Sequence, residues 1–195
     1  MQPPGAGPSL AQLDPVEMQA WVIARSDKIV ARWLSEVTKR FERRPEQLVE
    51  LLRDFYETFV SILPEILGPY RRRVRPVWQE AANLYGELAA ERGLVAGEVI
   101  EEFQVLRVSL IRVLYAEPRM PPDVVPGMRE VLRLNRLVDQ GVTHASVGYT
   151  DSLVSALVAG PGVPESVTEE LLTRVAEQLR AIRTEFRDIV GSGRG

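Results

Sequence analysis

Apolar side chains recur every three or four residues along most of this chain, and that spacing predicts amphipathic α-helices. The first stripe follows LDPVE, where Asp14 is suited to cap a helix, Pro15 to occupy its first position and Glu17 to complete a capping box. The apolar positions of this stripe are Val22, Ile29, Trp33, Val37 and Phe41. The pattern predicts one helix from residue 15 to about residue 41.

Proline and glycine residues divide the next part of the chain. A second helix is predicted to begin at Pro45 and to be kinked or shortened by Pro64, because proline lacks the N–H that a helix interior uses. The segment GPYRRRVRP predicts a break, and a third helix is expected to follow Pro76. That helix should end near Gly93, a residue suited to the left-handed conformation that closes helices.

Two further helices are predicted over residues 96–116 and about 127–157, separated by the proline-containing segment EPRMPPD. The later helix contains the small residues Gly141, Ser146 and Gly148. Each glycine in a helix interior costs about 0.5–1 kcal/mol relative to alanine. Close approach of another backbone is therefore the expected compensation.

The last predicted helix begins near Pro164, and its apolar residues alternate spacings of three and four, as in a coiled coil. These heptad positions are Leu172, Val175, Leu179, Ile182, Phe186 and Ile189. No stretch alternates as a strand would. The predicted fold class is all-α, a bundle of about six helices, with a disordered tail at 1–12, a helical domain at 13–158 and a coiled-coil-like helix at 164–190.

Composition narrows the functional classes. The chain has 195 residues, of which 45% are hydrophobic and 26% charged, with a formal net charge of −3 and no cysteine. A dedicated nucleic-acid binder is usually basic, so nucleic acid is not an expected partner. The N-terminus has neither the basic nor the apolar region of a secretory signal, and no apolar run reaches the roughly 18 residues of a membrane span. A cytoplasmic location and no membrane partner are the expectations.

The acidic segment around Glu101 and Glu102 is the first candidate for chemistry. Adjacent helical residues point about 100° apart, so these two carboxylates cannot face each other across a substrate. Glu98 lies one turn away, but the histidine of a helical Glu-x-x-His metal unit is missing. The favoured interpretation is a solvated helix face, with no catalytic residue and no metal site.

Two other groups of side chains have a functional and a plain interpretation. His144, the only histidine, is a weak candidate for a haem or metal ligand and is more simply a residue at the edge of the core. The four arginines Arg71, Arg72, Arg73 and Arg75 could bind phosphate or an acidic partner, although a solvated turn is the simpler interpretation.

Large aromatic residues fall on the apolar stripes and are expected in the core. Rings of this size can also leave a ligand cavity between helices. The candidates for such a pocket are Trp33, Phe55, Phe59, Trp78 and Phe103. No phosphate loop, nucleophile elbow or zinc signature is present in the sequence.

Two segments, YGELAAERGLVAGEVIEEFQVLR at 85–107 and RLNRLVDQGVTHASVGYT at 133–150, carry a family resemblance. They resemble the N-terminal sensor domain of RsbR/RsbRD-type stress-signalling proteins, which also precedes many bacterial histidine kinases. The similarity covers about residues 14–157, in pattern more than in identities. The matching positions are Glu102, Phe103, Leu106 and Arg107 in one helix and Asn135, Arg136 and Asp139 in a later one.

The resemblance implies a non-catalytic, globin-like or bundle-like homodimeric input domain that passes a conformational signal to a partner protein or an output domain. In that scheme residues 13–158 form the sensor domain and residues 164–190 a signalling helix. No STAS domain, phosphoacceptor box or ATP-binding domain follows, so a stand-alone sensor or a fragment of a longer kinase chain is expected. Beside the resemblance, we expect Arg107 to pair with Asp139 at a buried helix contact and fix its register.

Three functional hypotheses follow. The first is the signal-input domain, without a cofactor, acting by dimerisation and protein–protein contact. The second is a globin-like protein that binds a small molecule or haem among the aromatic residues. The third, an enzyme with a metal site in a helical bundle, has the least support in the residues.

Overall fold

The structure is a computed structural model that describes residues 14–40, 45–68, 70–116, 128–159 and 167–193. These residues form seven helices and no strand, so the all-α prediction is confirmed for the described part of the chain. The helices are α1 (Pro15–Ile23), α2 (Ser26–Thr38), α3 (Glu46–Leu67), α4 (Arg71–Glu91), α5 (Ala96–Ala116), α6 (Met128–Ala159) and α7 (Glu169–Gly193). None of these helices combines the length and apolarity required to cross a bilayer.

The expected first helix is divided into α1 and α2. The N–H of Arg25 bonds back only three residues to the carbonyl of Val22, at 3.0 Å, and Arg25 leaves helical geometry with φ −124° and ψ 4°. No proline or glycine marks this break. The Arg25 guanidinium instead lies over the ring of Trp21, 4.6 Å from its centroid, so a side-chain contact accompanies the bend. The prediction of one helix was wrong here, and Phe41 lies outside the described residues.

Two prolines interrupt their helices less than expected. Helix α3 runs through Pro64 to Leu67, and α4 begins at Arg71, so that Pro76 lies inside it. Val74 is fully buried, and the turn that carries it joins the apolar stripe of Val77 and Trp78. Burial of Val74 extends α4 in front of the proline, because tertiary packing outweighs one missing hydrogen bond. The chain does break between α3 and α4, but the prediction that this break extends over the arginines to Pro76 was wrong.

Helix α4 ends at Glu91, close to Gly93 as predicted. Gly93 has φ +72°. Its N–H donates to the carbonyl of Ala90 at 2.9 Å, and the N–H of Leu94 donates to the carbonyl of Ala89 at 3.1 Å. These two bonds are the Schellman arrangement that satisfies the last carbonyls of a helix. The turn brings α5 back alongside the core directly after Arg92.

Helices α4 and α6 cross at backbone contact. An added Cβ at Gly148 would collide with the carbonyl of Asn83, and one at Gly86 would collide with the carbonyl of Ala145. At Gly141 a Cβ would lie 2.6 Å from the ring of Phe103. The close approach of another backbone that was predicted for α6 is thus present at Gly148, whereas the close neighbours of Gly141 are the side chains of Phe103 and Trp78.

The heptad helix α7 packs on its own chain. Val175, Leu179 and Ile182 are buried in the common core, and α7 contacts α3 and α4. Arg183 donates to the hydroxyl of Thr58 at 2.6 Å and to the carbonyl of Asp54, both on α3. The apolar stripe of α7 therefore packs into the core beside α3 and α4. Leu172, Phe186 and Ile189 are half-buried.

Candidate functional site: a buried polar chain in an aromatic core

The five aromatic pocket candidates fill the centre of the molecule. All five are fully buried: Trp33, Phe55, Phe59, Trp78 and Phe103. Their rings contact one another, with centroids 5.1 Å apart for Phe59 and Trp78 and 5.7 Å apart for Phe59 and Phe103. The interpretation of these residues as core is confirmed. The rings pack together in the space between α2, α3, α4 and α5, for which a ligand pocket was the alternative prediction.

A chain of polar side chains runs through this core, and we call it the polar chain: Arg92, Glu102, Tyr85 and Tyr56. The two terminal guanidinium nitrogens of Arg92, Nη2 and Nη1, donate to the two carboxylate oxygens of Glu102 at 2.9 and 3.1 Å. The hydroxyl of Tyr85 donates to Oε2 of Glu102 and lies 3.0 Å from the hydroxyl of Tyr56. Three helices and the α4–α5 turn are thereby connected by charge-assisted hydrogen bonds.

The side chain of Trp33 and the turn at Gly93 hold the polar chain in place. Trp33 on α2 donates from Nε1 to the carbonyl of Glu102 at 2.9 Å, and its ring stacks on Tyr56 with centroids 3.9 Å apart. The Gly93 turn holds Arg92 at the end of α4, facing α5. Helices α2 and α4 therefore contact Glu102 of α5 directly, through Trp33 and Tyr85, and α3 is linked to it through the hydroxyl of Tyr85.

Glu102 corrects the expectation of a solvated acidic face. Its side chain is 3% exposed, as is that of Arg92, whereas Glu101 points outward and forms an exposed ion pair with Arg40 at 2.7 Å. The 100° step between adjacent residues separates the two acids into inside and outside. Glu98 accepts from the N–H of Val95 at the start of α5 and so serves as a cap. No local pattern of residues indicated that Arg92 would neutralise Glu102.

Burial controls the ionisation of the polar chain. Removal from water, together with the negative charge of Glu102, raises the pKa of Tyr56 and that of Tyr85 well above the ordinary value for tyrosine. Burial, the largest single influence, would lower the pKa of Arg92, but the charge and hydrogen bonds of Glu102, together with Tyr85 and Tyr56, outweigh it and raise the pKa above its ordinary value. The chain is thus one ion pair with two neutral hydroxyl groups. It is built to hold helices in register, because its members are mutually satisfied and shielded from solvent.

The residues matched by the family resemblance are divided between different places. Arg107 and Asp139 form the expected ion pair between α5 and α6, but the Asp139 side chain is 62% exposed, so the pair lies at the rim and not in a buried contact. Oδ1 of Asn135 is buried without a hydrogen-bond partner among the described residues. Arg136 has no part in this pair and lines a cleft between α4 and α6.

The metal and haem candidate His144 is half-buried on α6. Within the described ranges, no group of three or more histidine, aspartate or glutamate side chains is arranged to hold a metal ion. His144 therefore has no carboxylate cluster beside it in this part of the protein.

The arginine segment is helical and lines a cleft, in contrast to the expected solvated turn. Arg71, Arg72, Arg73 and Arg75 lie in the first two turns of α4 and line a cleft with residues of α6. Sequence spacing could not have shown this, because the α6 residues lie about 60 positions further along the chain.

No family model matches the chain, and no curated protein or solved structure matches it.

Proposed function

We propose that the chain is a non-catalytic signal-input domain of a bacterial stress-response or two-component pathway, cytoplasmic and homodimeric, which acts through protein–protein contact. The resemblance of residues 85–107 and 133–150 to RsbR/RsbRD-type sensor domains supports the pathway class. Both segments lie at the centre of the fold: the first contains the polar chain residues Tyr85, Arg92 and Glu102, and the second contains the close contact with α4.

The observation that carries the proposal is the division of α6 into a locked face and an uncovered apolar face. Gly148 fixes one face against α4, while Val147, Val154, Leu157 and Val158 on the same helix are between 47% and 83% exposed. Exposed apolar side chains grouped on one element are typical of a protein contact surface. A partner bound there would press on a helix that is coupled to the core by its backbone.

Charge favours a second copy of the chain as the partner. Residues 143–158 contain one carboxylate, that of Asp151, and neither lysine nor arginine. A twofold interface places like surfaces against each other, so a nearly uncharged apolar surface pairs with itself at little electrostatic cost. We call this surface, formed by Val147, Val154, Leu157 and Val158, the α6 face.

A signal would pass through the contacts that surround α6. The rim pair of Arg107 and Asp139 joins it to α5, and the contact of Gly86 with Ala145 joins it to α4. Helix shifts of about 1–2 Å are a common means of transmission between packed helices. A shift of α6 would act on α5, and α5 carries Glu102 of the polar chain.

Sedimentation equilibrium tests the dimer. The wild-type chain should have twice the monomer mass of 21.9 kDa, and Val154→Glu/Leu157→Glu should have the monomer mass, because charges would face each other across the axis. The matched control is Val16→Glu/Ile23→Glu, which changes two similarly exposed residues of α1 and should remain dimeric. A monomeric wild type, or a dimeric α6 variant, would contradict the proposed interface.

Signal transmission has its own test. Arg107→Met should leave the helical circular dichroism spectrum unchanged and alter the response of the partner or output domain. An unaltered response in a folded Arg107→Met protein would argue against transmission through the rim pair.

A further inference from the structure

A cleft of about 830 Å³ lies where the N-terminal turns of α4 meet α6, the end of α3 and the start of α1. Six of its lining residues are arginines, and we call it the arginine cleft. The arginines are Arg71, Arg72, Arg73, Arg75, Arg133 and Arg136. The described lining also includes an apolar wall of Ile66, Leu67 and Leu137.

Among the described residues no carboxylate lines the arginine cleft, and the described acids adjacent in sequence are engaged elsewhere. Asp14 and Glu17 form the capping box of α1, and Glu65 accepts from a glutamine amide of α1. Asp139 accepts from Arg107. Within the described part of the chain, none of the six arginines forms an ion pair, although the whole chain has a net charge of −3. Positive charge is therefore concentrated in this one concave place.

Helix polarity makes this concentration more unusual. The N-terminal end of a helix carries a partial positive charge, which favours acidic residues and disfavours basic ones. Helix α1 follows that preference with Asp14 and Glu17, whereas the first turn of α4 contains no acidic residue and has no side-chain cap. Arginines at this position repel both the helix end and one another. An anion in the cleft would relieve both repulsions.

We propose that the arginine cleft binds an oligophosphate, that is, a small molecule with two or more linked phosphate groups. Guanidinium groups match phosphate oxygens in paired hydrogen bonds, and the volume lies within the range of about 300–1,000 Å³ usual for small-molecule sites.

Charge spacing favours phosphate over an acidic peptide. A phosphate group carries about −1.5 to −2 charges at neutral pH. In an extended peptide, successive side chains point to opposite faces, so carboxylates on one face are about 7 Å apart. Linked phosphates bring more negative charge into a compact cleft that offers six cations. The apolar wall of Ile66, Leu67 and Leu137 would accommodate a nucleoside attached to such a phosphate chain.

Titration calorimetry with tripolyphosphate in 150 mM salt tests the site. Tripolyphosphate should bind the wild-type chain at one site, and Arg72→Gln/Arg133→Gln should weaken binding by about tenfold or more, since one cation is lost from each side of the cleft. The matched control is Arg53→Gln/Arg180→Gln, which removes the same charge from exposed positions outside the cleft. Its affinity should equal that of the wild-type chain. An equal loss in both variants would show general charge attraction and overturn the proposal.

Thermal stability separates a lost site from a damaged fold. Without added anion, Arg72→Gln should melt at the same temperature as the wild-type chain or higher, because it removes repulsion at the start of α4. Tripolyphosphate should raise the melting temperature of the wild-type chain and raise that of Arg72→Gln/Arg133→Gln much less. A variant that melts lower without anion yet responds fully to tripolyphosphate would contradict the proposal.

Two further probes, ATP and a hexaglutamate peptide, distinguish a nucleotide, an inorganic oligophosphate and an acidic protein as the natural ligand. Tighter binding of ATP than of tripolyphosphate would support a nucleotide, and the reverse order would support an inorganic oligophosphate; either result agrees with the proposed chemistry. Tighter binding of a hexaglutamate peptide than of both would overturn it in favour of an acidic protein partner.

Discussion

Arg92 and Glu102 meet in a two-point ion pair inside the protein, with N–O distances of 2.9 and 3.1 Å and both side chains 3% exposed. A charge pair removed from water in this way depends on both partners, because either one alone would be a buried, uncompensated ion. The pair joins the end of α4 to α5 across a turn of only a few residues. The stability of the core is therefore tied to its integrity.

Arg92→Met should lower the free energy of unfolding by about 3–5 kcal/mol, because Glu102 is left buried without its cation. Urea denaturation followed by circular dichroism measures the change. Arg92→Met/Glu102→Met should lose less than Arg92→Met alone, since the second substitution removes the stranded charge. The control is Arg40→Met, which breaks the exposed pair with Glu101 and should cost about 0–1 kcal/mol. Equal losses for Arg92→Met and Arg40→Met would contradict the importance of burial.

Alkaline pH should destabilise the protein through Tyr56 and Tyr85. The pKa of each is raised in the folded state, so at pH above about 10 the unfolded chain releases protons that the folded chain retains. Stability is therefore unaffected by these groups below pH 10. It falls above that pH by about 1.4 kcal/mol per pH unit for each tyrosine.

Urea denaturation between pH 8 and about 11.5 measures this slope. Tyr56→Phe/Tyr85→Phe should flatten it, since neither phenylalanine can ionise. A slope that is identical in the wild-type chain and the double variant would assign the alkaline sensitivity to other groups.

Gly148→Ala should destabilise the protein by about 1–3 kcal/mol or more, because its methyl group would collide with the backbone carbonyl of Asn83 and force α4 and α6 apart. Gly97→Ala is the matched control. Gly97 is also helical, and an added Cβ there meets no atom within 4 Å. That variant should gain about 0.4–1 kcal/mol from reduced freedom of the unfolded chain. Opposite signs in thermal denaturation are the expected result, and a loss of equal size in both would contradict the close crossing.

Leu179→Ala should cost about 2–5 kcal/mol, because Leu179 is 2% exposed in the core although it belongs to α7. Ile23→Ala, at a residue that is 55% exposed on α1, should change stability by no more than about 0.5 kcal/mol. Chemical denaturation of both variants makes the comparison. A negligible effect of Leu179→Ala would indicate that α7 is detached from α3 and α4 in solution.

The spacing of apolar residues was sufficient to predict the limits of those helices whose ends are marked by capping or helix-breaking residues. Helix α5 has the predicted limits of Ala96 and Ala116, and Gly93 adopts the predicted left-handed conformation because only local geometry decides both. The division at Arg25 was not predicted, because neither proline nor glycine marks it and only the contact of Arg25 with Trp21 accompanies it. Helix α4 was predicted to begin too late, because the burial of Val74 outweighs the signal of Pro76.

The sites were less accessible from the sequence because they depend on distant residues. Glu102 and Glu101 have the same chemistry in adjacent positions, and only the location of Arg92 and Tyr85 distinguishes a buried acid from an exposed one. The heptad spacing of Val175, Leu179 and Ile182 was recognised, but spacing does not specify whether the covering helix belongs to the same chain or to another. Likewise, the arginine segment gave no indication of Arg133 and Arg136.

The backbone contact of α4 with α6 has a consequence for how the protein opens. Where Gly86 and Gly148 meet the opposite helix, no side chain lies between the two backbones to be rearranged, so solvent can enter only if both helices separate. Amide hydrogens on the two facing surfaces should therefore exchange with deuterium together and last. Slow motions of the molecule would then consist of other helices moving around this pair.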